Sequence, residues 1–591
     1  AVPFLQTVSD IINGNDVSLF RFVDPVKIGD IRGFSGTYDS APALRQACTS
    51  GAKRLTADYG LWNLESSVDL QMPVNLEGAG DGTVFHQRTV TTTASLVFKS
   101  ISASAMIDGI RLKNFVMQST TGAFAEQRHL IAMSGVRNVL VDGVRFYGFN
   151  GDAFYLGSGG AGEERHNESV RFTQCVFDGI NNENRNAISV IDVDGLWIDH
   201  NHFFRCSKST MPGPIDFEPD AAAWHVIRNA RVMFNRFRAC GGNVAEVAIY
   251  MPGAVTTPAT NILVEGNESD GYVGTGSFFH YGTNRVPTAA SQDCDIALVH
   301  NKARGGSRPW FMADGKGIKL LENTWIDMKQ SAVLGYIPVN GNPASFTRDV
   351  SIKGDRFTRV GTVGKIGLAV FNVTGLAMDN VLFSDCGDGA VGSYAIDFNT
   401  GISSGVDMDR VKVLSPTGKT LIAIQKEAGH TFTPSTNRFM RGELNGLANN
   451  FQAEESDKLE TAYAPIAAGQ GTAGTWSPAA TFGRFRRVGD KVQARGEISG
   501  TLSGATGALM ISLPLPVKQD GANQQMVMKL SIDGGSGYST GGQIGLTTPA
   551  LTLNGVAGVI RAYSSTNGVL TVLGVPAGAM TVRFWAEYLM P

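Results

Sequence analysis

The sequence predicts an all-β chain: a right-handed parallel β-helix of about a dozen coils with a C-terminal β-sandwich. Three observations carry the prediction. A short apolar pattern recurs through the middle of the chain. Its columns repeat residue type as well as polarity. The pattern then stops at a change of composition, and a different strand rhythm follows.

The repeat is an apolar strand, a turn residue and a large apolar residue. It reads Val139 to Phe146, Val170 to Phe177, Leu196 to Phe203 and Ala230 to Phe237, with weaker copies from Ile262, Ile296, Ile318, Val350, Leu376 and Val406. Starts lie about 22 to 34 residues apart, the length of one solenoid coil. The last column holds Phe146, Phe177, Phe203, Phe237, Trp325, Phe357 and Phe383. Two places earlier stand Asn201, Asn235, Asn267, Asn301 and Asn323. Three places after the aromatic come Phe149, Ile180, Cys206, Cys240, Tyr272, Met328, Val360 and Cys386. Stacked coils place such residues above one another. The apolar columns then fill one core, and the asparagines bond from coil to coil while supplying the left-handed backbone of a sharp corner.

Four segments follow. Residues 1–59 are an N-terminal lead-in with a short helix, opened by an Asp or Ser cap, over Gly36 to Cys48. Residues 60–445 are the coils. Residues 446–474 turn small, charged and Gly-rich and read as a linker. Residues 475–591 show short alternating strands between Gly turns, as at Val492 to Ile498 and Met580 to Ala586.

Bulk properties narrow the function. A chain of 591 residues exceeds one compact core, so at least two domains are expected. The net charge of −3 gives no global pull toward nucleic acid or membrane, and no apolar run reaches the ~20 residues of a membrane span. Six cysteines without a CxxC pair read as core thiols, not a zinc site or disulfide framework. No Walker loop, GxSxG elbow or HExxH motif occurs, and neither metal nor cofactor is expected. The start, Ala1-Val2-Pro3-Phe4, has no signal-peptide pattern and no initiator Met, as in a processed chain or one lacking an N-terminal piece.

The run Asp39, helix, Lys53 to Gly60, then Val74-Asn75-Leu76-Glu77-Gly78-Ala79-Gly80 resembles the start of pectate-lyase-like β-helices. With the C-terminal sandwich, the whole architecture resembles the tailspike depolymerases of tailed bacteriophages. That resemblance implies a homotrimer on the virion, joined to the phage tail through a missing N-terminal part. It implies binding and cutting of a bacterial surface polysaccharide, O-antigen or capsule. It makes the C-terminal segment a trimerising or glycan-binding module.

The richest segment for chemistry is Asn184 to Tyr250. In Met211 to Asp220, alternation puts Ile215 and Phe217 inward and Asp216 and Glu218 outward. Their bases then lie roughly 6 to 7 Å apart, between the spacings of retaining and inverting hydrolysis. Glu246 and Tyr250 fall on the next coil, and His202 and His225 nearby. These six are the catalytic candidates. Arg185, Arg205 and Arg228 point to an anionic glycan, whose uronic acids permit β-elimination with His, Tyr or Lys as base and acid. His280, Tyr281, Trp310 and Asp314 are candidates to line the groove, since aromatic faces stack on sugar rings. Elimination is slightly favoured. Hydrolysis by Asp216 and Glu218, a non-catalytic glycan-binding adhesin and a secreted lyase or epimerase stand as alternatives.

Overall fold

The computed structural model describes residues 16–449 apart from 90–93, 101–104, 120–123, 160–163, 284–292, 337–346, 433–437 and positions 181, 221, 258, 314 and 446. Beyond them it describes chiefly 461–469, 474–488, 491–507, 509–512, 527–533 and 579–589. The chain forms two compact units, Ala1–Phe451 and Gln452–Pro591.

The first unit is a parallel β-helix. One wall is a sheet of 14 strands in unbroken chain order, from Val68–Leu70 to Ala448–Asn449. Each coil adds one strand to this wall and two to the others. A representative coil runs through the long strand Val193–Asp199, the short strand His202–Phe204 and the wall strand Ile215–Phe217. All three pair in parallel with their counterparts in the next coil, Ile227–Met233, Arg236–Arg238 and Ala245–Met251.

The register explains the columns. Phe146, Phe177, Phe203 and Phe237 align strand to strand, with ring centroids 4.7, 4.9 and 4.8 Å apart and interplanar angles of 4°, 5° and 11°. Each such pair adds ~0.5–1.5 kcal/mol beyond the apolar area it buries. In the third column Ile180 is only half-buried, while Cys206, Cys240, Val360 and Cys386 are fully enclosed. All six cysteines are free and buried.

The asparagines form a buried ladder. The Nδ2 of Asn201, Asn235, Asn267 and Asn301 each donates 3.0 Å to the Oδ1 of the next asparagine, and Asn323 donates 3.0 Å to Asp355. Their corner role differs from the sequence expectation. The left-handed residue is the one before each Asn or Asp rung: His200 (φ 58°), Phe234 (φ 55°), Gly266, His300 (φ 54°), Glu322 (φ 56°) and Gly354. The asparagine side chain replaces the backbone bonds lost at the bend. Its Oδ1 accepts the N–H of the preceding rung, as from Asn235 N to Asn267 at 3.0 Å.

The aromatic column breaks at Ser269 and Ala303. The space is taken by Phe278, at the head of the wall strand Ser277–Thr283, with ring centroids 6.4 Å from Phe237 and 5.5 Å from Trp325. At the lead-in, the helix Ala41–Cys48 buries Ala41, Ala43, Leu44, Ala47 and Cys48 in the core. Its cap bond comes from Asp39, whose Oδ1 accepts Ala41 N at 3.0 Å; Ser40 caps nothing with its side chain.

In the second unit the pairing is antiparallel. Thr475–Val488, Lys491–Ser503, Ala579–Leu589 and Val527–Asp533 lie side by side.

Candidate active site

Outward positions of the wall strands form a column in register: Tyr155, Ser189, Asp216, Ala248, His280, Phe311. Alternation sends their neighbours inward, so Ile215 and Phe217 are core residues, as expected from the sequence. A groove of ≈ 490 Å³ covers the centre of this column. Asp216, Glu218, Tyr250, His280, Arg308 and Phe311 all line it.

Asp216 is 2% exposed, with Glu218 two residues on along the same run. Burial raises the Asp216 pKa well above the usual carboxylate range. The charge of Glu218 adds to the rise and Arg185 opposes it. Burial and the neighbouring carboxylate both favour the neutral form of Asp216. Arg185 Nη2 donates to Glu218 Oε2 at 3.2 Å. Asn186 Nδ2 donates to Asp216 Oδ2 at 3.2 Å.

Behind the pair stands Asp152, fully buried. Its carboxylate accepts Arg185 Nη1 at 3.0 Å and Asn186 N at 3.0 Å, which fixes both residues that touch the pair. Tyr155, stacked on His129 at 4.8 Å and 9°, completes this side. Its pKa is pushed up to about 12, by burial first and then by the charges of Asp220 and Asp152.

Across Ala248, the His280 ring stacks flat on Phe311, centroids 4.9 Å apart at 2°. Burial, reinforced by Arg308, lowers the His280 pKa to about 4, so the ring is neutral at pH 7. The ring tips over Gly282, where a Cβ would meet His280 Nε2 at 2.6 Å. Arg308 lies 5.5 Å from the Phe311 ring, and among the described residues no carboxylate pairs with it. Aromatic contacts continue from Phe311 to Tyr336 at 5.4 Å and from Tyr336 to Phe371 at 5.2 Å. Tyr336 is 39% exposed, an apolar face open to a ligand.

The groove therefore brings together Asp216, Glu218, Tyr250 and His280, with Arg185 holding the pair from behind. Other sequence candidates lie elsewhere. Glu246 is a correction: it is 1% exposed, with its Oε1 accepting the core Ser269 hydroxyl at 2.7 Å. Simple alternation put it outside. It turns in because the missing aromatic at Ser269 leaves room. Tyr281 and Trp310 are also corrected, being core residues inward of His280 and Phe311. His202 lies on the short-strand wall, on a strand whose neighbours are Val176–Asp178 and Arg236–Arg238. Arg205 pairs with Asp178 at 2.5 Å and Arg228 with Asp194 at 2.9 Å, each tying adjacent coils together. His225 is buried in the turn after Ile215–Phe217 and bonds Ser158. Asp314 lies outside the described residues. Arg308, Phe311, Asp152, Asn186 and Tyr155 were missed. The number of residues between the aromatic column and the wall strand changes from coil to coil, so no fixed count from the column locates them.

The fold has solved counterparts among phage tailspike proteins. A double mutant of the tailspike of E. coli bacteriophage HK620, in complex with pentasaccharide, matches at TM-score 0.50 and 15% identity, covering 98% of this chain and 94% of that one. The Dettilon tailspike protein matches at TM-score 0.37 and 13% identity over 97% of this chain and 94% of its own. The Streptococcus pneumoniae surface protein and adhesin PfbA matches at TM-score 0.38 and 10% identity, over 71% of this chain and 100% of its own. No family model and no curated protein sequence matches. The chain thus has the parallel β-helix fold found in a phage tailspike protein.

Proposed function

We propose that the chain is a tailspike depolymerase that binds a bacterial surface polysaccharide of O-antigen or capsule type in this groove and cuts it by β-elimination. The observation that carries the reading is Arg308, a guanidinium in the groove wall with no carboxylate partner among the described residues, beside a neutral imidazole. A uronate carboxylate fits that vacancy in charge and shape. With the uronate neutralised, His280 takes the proton from the carbon next to the carboxylate. The electron pair of that C–H bond forms the new C=C bond as the bond to the glycosidic oxygen breaks. The leaving oxygen takes a proton from Tyr250 or from Asp216, whose neutral form burial favours. The Phe311, Tyr336 and Phe371 faces hold neighbouring sugars. The fold shared with the HK620 tailspike, whose complex holds a pentasaccharide, supports a saccharide ligand, and a homotrimer on the phage tail is part of the same proposal.

Hydrolysis is the second reading, favoured by the raised pKa of Asp216, as a general acid requires.

The test incubates the full chain with uronate-containing and neutral bacterial polysaccharides. Fragment size is followed by chromatography and the unsaturated uronate by its ultraviolet absorbance. Elimination gives fragments and absorbance together, both lost in Arg308→Gln. Fragments without absorbance move the assignment to hydrolysis, and binding without fragments removes the enzyme claim.

A further inference from the structure

Outside the groove, one constellation among the described residues joins a nucleophile, a base and an orienting group. Ser158 sits in the turn leaving the wall strand Phe154–Leu156, within Gly157-Ser158-Gly159. His225 sits in the turn leaving Ile215–Phe217, two coils on. Between them the intermediate coil turns tightly at Asp192, which is buried and accepts Val226 N at 2.7 Å. Across this step His225 Nε2 meets Ser158 Oγ at 2.9 Å.

The other ring nitrogen fixes the chemistry of that contact. His225 Nδ1 lies 3.0 Å from the backbone oxygen of Asp220. A carbonyl oxygen only accepts, so Nδ1 carries the proton and donates it there. Nε2 then presents its lone pair to Ser158, and the hydroxyl donates to it at 2.9 Å rather than to the Gly159 carbonyl oxygen at 3.2 Å. This is the tautomer and direction that a general base needs to activate a serine. A Ser–His bond that merely stitched two turns together would require nothing more. Three further features exceed that role. Ser158 is half-buried, hence reachable, whereas His225 is 2% exposed and covered by the Trp224 ring at 4.5 Å and 79°. The backbone of the nucleophile is anchored, since Ser134 Oγ donates to Ser158 O at 2.5 Å. The N–H groups of Ser158 and Gly159 have no protein acceptor among the described residues. Paired N–H groups at and after a nucleophile are the donors an oxyanion uses.

We propose that Ser158 and His225 form a second catalytic site, an esterase that removes acyl groups from hydroxyls. In the first half-reaction Ser158 Oγ adds to the ester carbonyl carbon and its proton passes to His225 Nε2. The carbonyl electron pair moves onto oxygen, facing the Ser158 and Gly159 N–H groups. Collapse breaks the bond to the alcohol oxygen, which takes the proton from Nε2. Water then gives a proton to Nε2 and its oxygen adds to the acyl-serine; collapse releases the carboxylic acid and restores Ser158. The alcohol half is a sugar hydroxyl, an assignment that rests on the depolymerase reading. Leu156, two residues before Ser158, is in register with Val190 and Phe217, the residue before Glu218, two strand spacings away, or about 10 Å. A polysaccharide crossing the groove thus passes the serine within about two strand spacings, so O-acyl substituents on that polymer are the substrate class.

The experiment uses the full chain and two probes that need no chain cutting, so a failed depolymerase reading leaves both readouts intact. 4-Nitrophenyl acetate reports acyl transfer. A fluorophosphonate reports an activated serine by mass on the intact protein and by peptide mapping. Wild type is expected to release nitrophenolate with an initial burst and to carry the phosphonyl group on Ser158. Ser158→Ala loses at least about a hundredfold in rate and all labelling, while its unfolding midpoint and polysaccharide cutting stay as in wild type. His225→Asn lowers labelling at an intact Ser158. Absence of labelling in wild type, labelling on another serine, or unchanged ester cleavage in Ser158→Ala overturns the proposal.

Discussion

Glu246→Gln isolates the energetic effect of one carboxyl sealed in the coil interior. Glu246 is 1% exposed, its Oε1 takes the Ser269 hydroxyl, and its Oε2 has no partner among the described residues. Burial raises its pKa from 4.5 to about 8, with the Ser269 bond opposing the rise. The sign follows from linkage. A group whose folded pKa is raised contributes stability that is fully present below its unfolded value, near 4.5, and lost as pH climbs through about 8. At ~1.4 kcal/mol per pH unit, about 3 kcal/mol is gone by pH 7 and roughly 5 kcal/mol above pH 8. Glutamine keeps the shape and the acceptor for Ser269 and cannot ionise. The variant should therefore match wild type near pH 4.5, exceed it by about 3 kcal/mol at pH 7 and by more at pH 9. The neighbouring Tyr272, whose hydroxyl donates to Gly242 O at 2.9 Å, has its pKa raised above the ordinary tyrosine value and does not confuse this window. Unfolding midpoints of both proteins at pH 5, 7 and 9 measure the difference. A stability gap that does not change with pH would falsify the assignment of Glu246 to the interior.

Three other perturbations test separate parts of the structure. Gly282→Ala places a Cβ against His280 Nε2, so the ring must leave Phe311; cutting should fall by at least about tenfold in kcat, with the unfolding midpoint nearly unchanged. With His280 lowered to about 4 and acting as base, kcat on a uronate polymer should hold through pH 5 and drop only as pH falls through about 4; an acid limb near the ordinary histidine value would remove His280 from that role. Asn267→Leu strands the Asn235 N–H and side-chain amide below it and the Val232 and Asn301 acceptors around it. At ~1–3 kcal/mol per buried group left unpaired, a loss of at least about 3 kcal/mol is expected in unfolding experiments.

Legibility in the sequence followed the physics of stacking. The Phe and Asn columns were readable because an in-register coil makes each residue's best neighbour a copy of itself. Phe203 lies flat on Phe237, and Asn235 donates to Asn267. The outward column of the wall carries no such signal. Tyr155, Ser189, Asp216, Ala248, His280 and Phe311 share no residue type, because a groove needs different chemistry at each height. Asp216 and Glu218 were found because the D-x-E spacing is local, running from the strand Ile215–Phe217 to the residue after it. Arg185 was found by its charge, but its ties to Asp152 span two coils and leave no local pattern. The candidates His280 and Tyr281, taken together, and Trp310, taken in place of its neighbour Phe311, show what alternation along a strand would have corrected. Consecutive strand residues face opposite sides, so only one of each pair reaches the groove.

The gap in the aromatic column and the position of the groove are linked through strand phase. Ser269 and Ala303 leave core space that Phe278 and Glu246 fill from the heads of their wall strands. In both strands the following residue, Phe279 or Val247, is also inward. Two consecutive inward residues shift the alternation by one place. Counted from Phe278 without that shift, His280 would point into the core and Phe279 into solvent. With it, His280 faces outward in line with Asp216 and Phe311. Filling the column with Ser269→Phe would compete for the space of Phe278 and Glu246 and so press on the phase of the strand that carries His280. Glu246 thus acts on the groove from inside the coil, through the direction in which its strand and the next present their side chains, and not through a proton given to substrate.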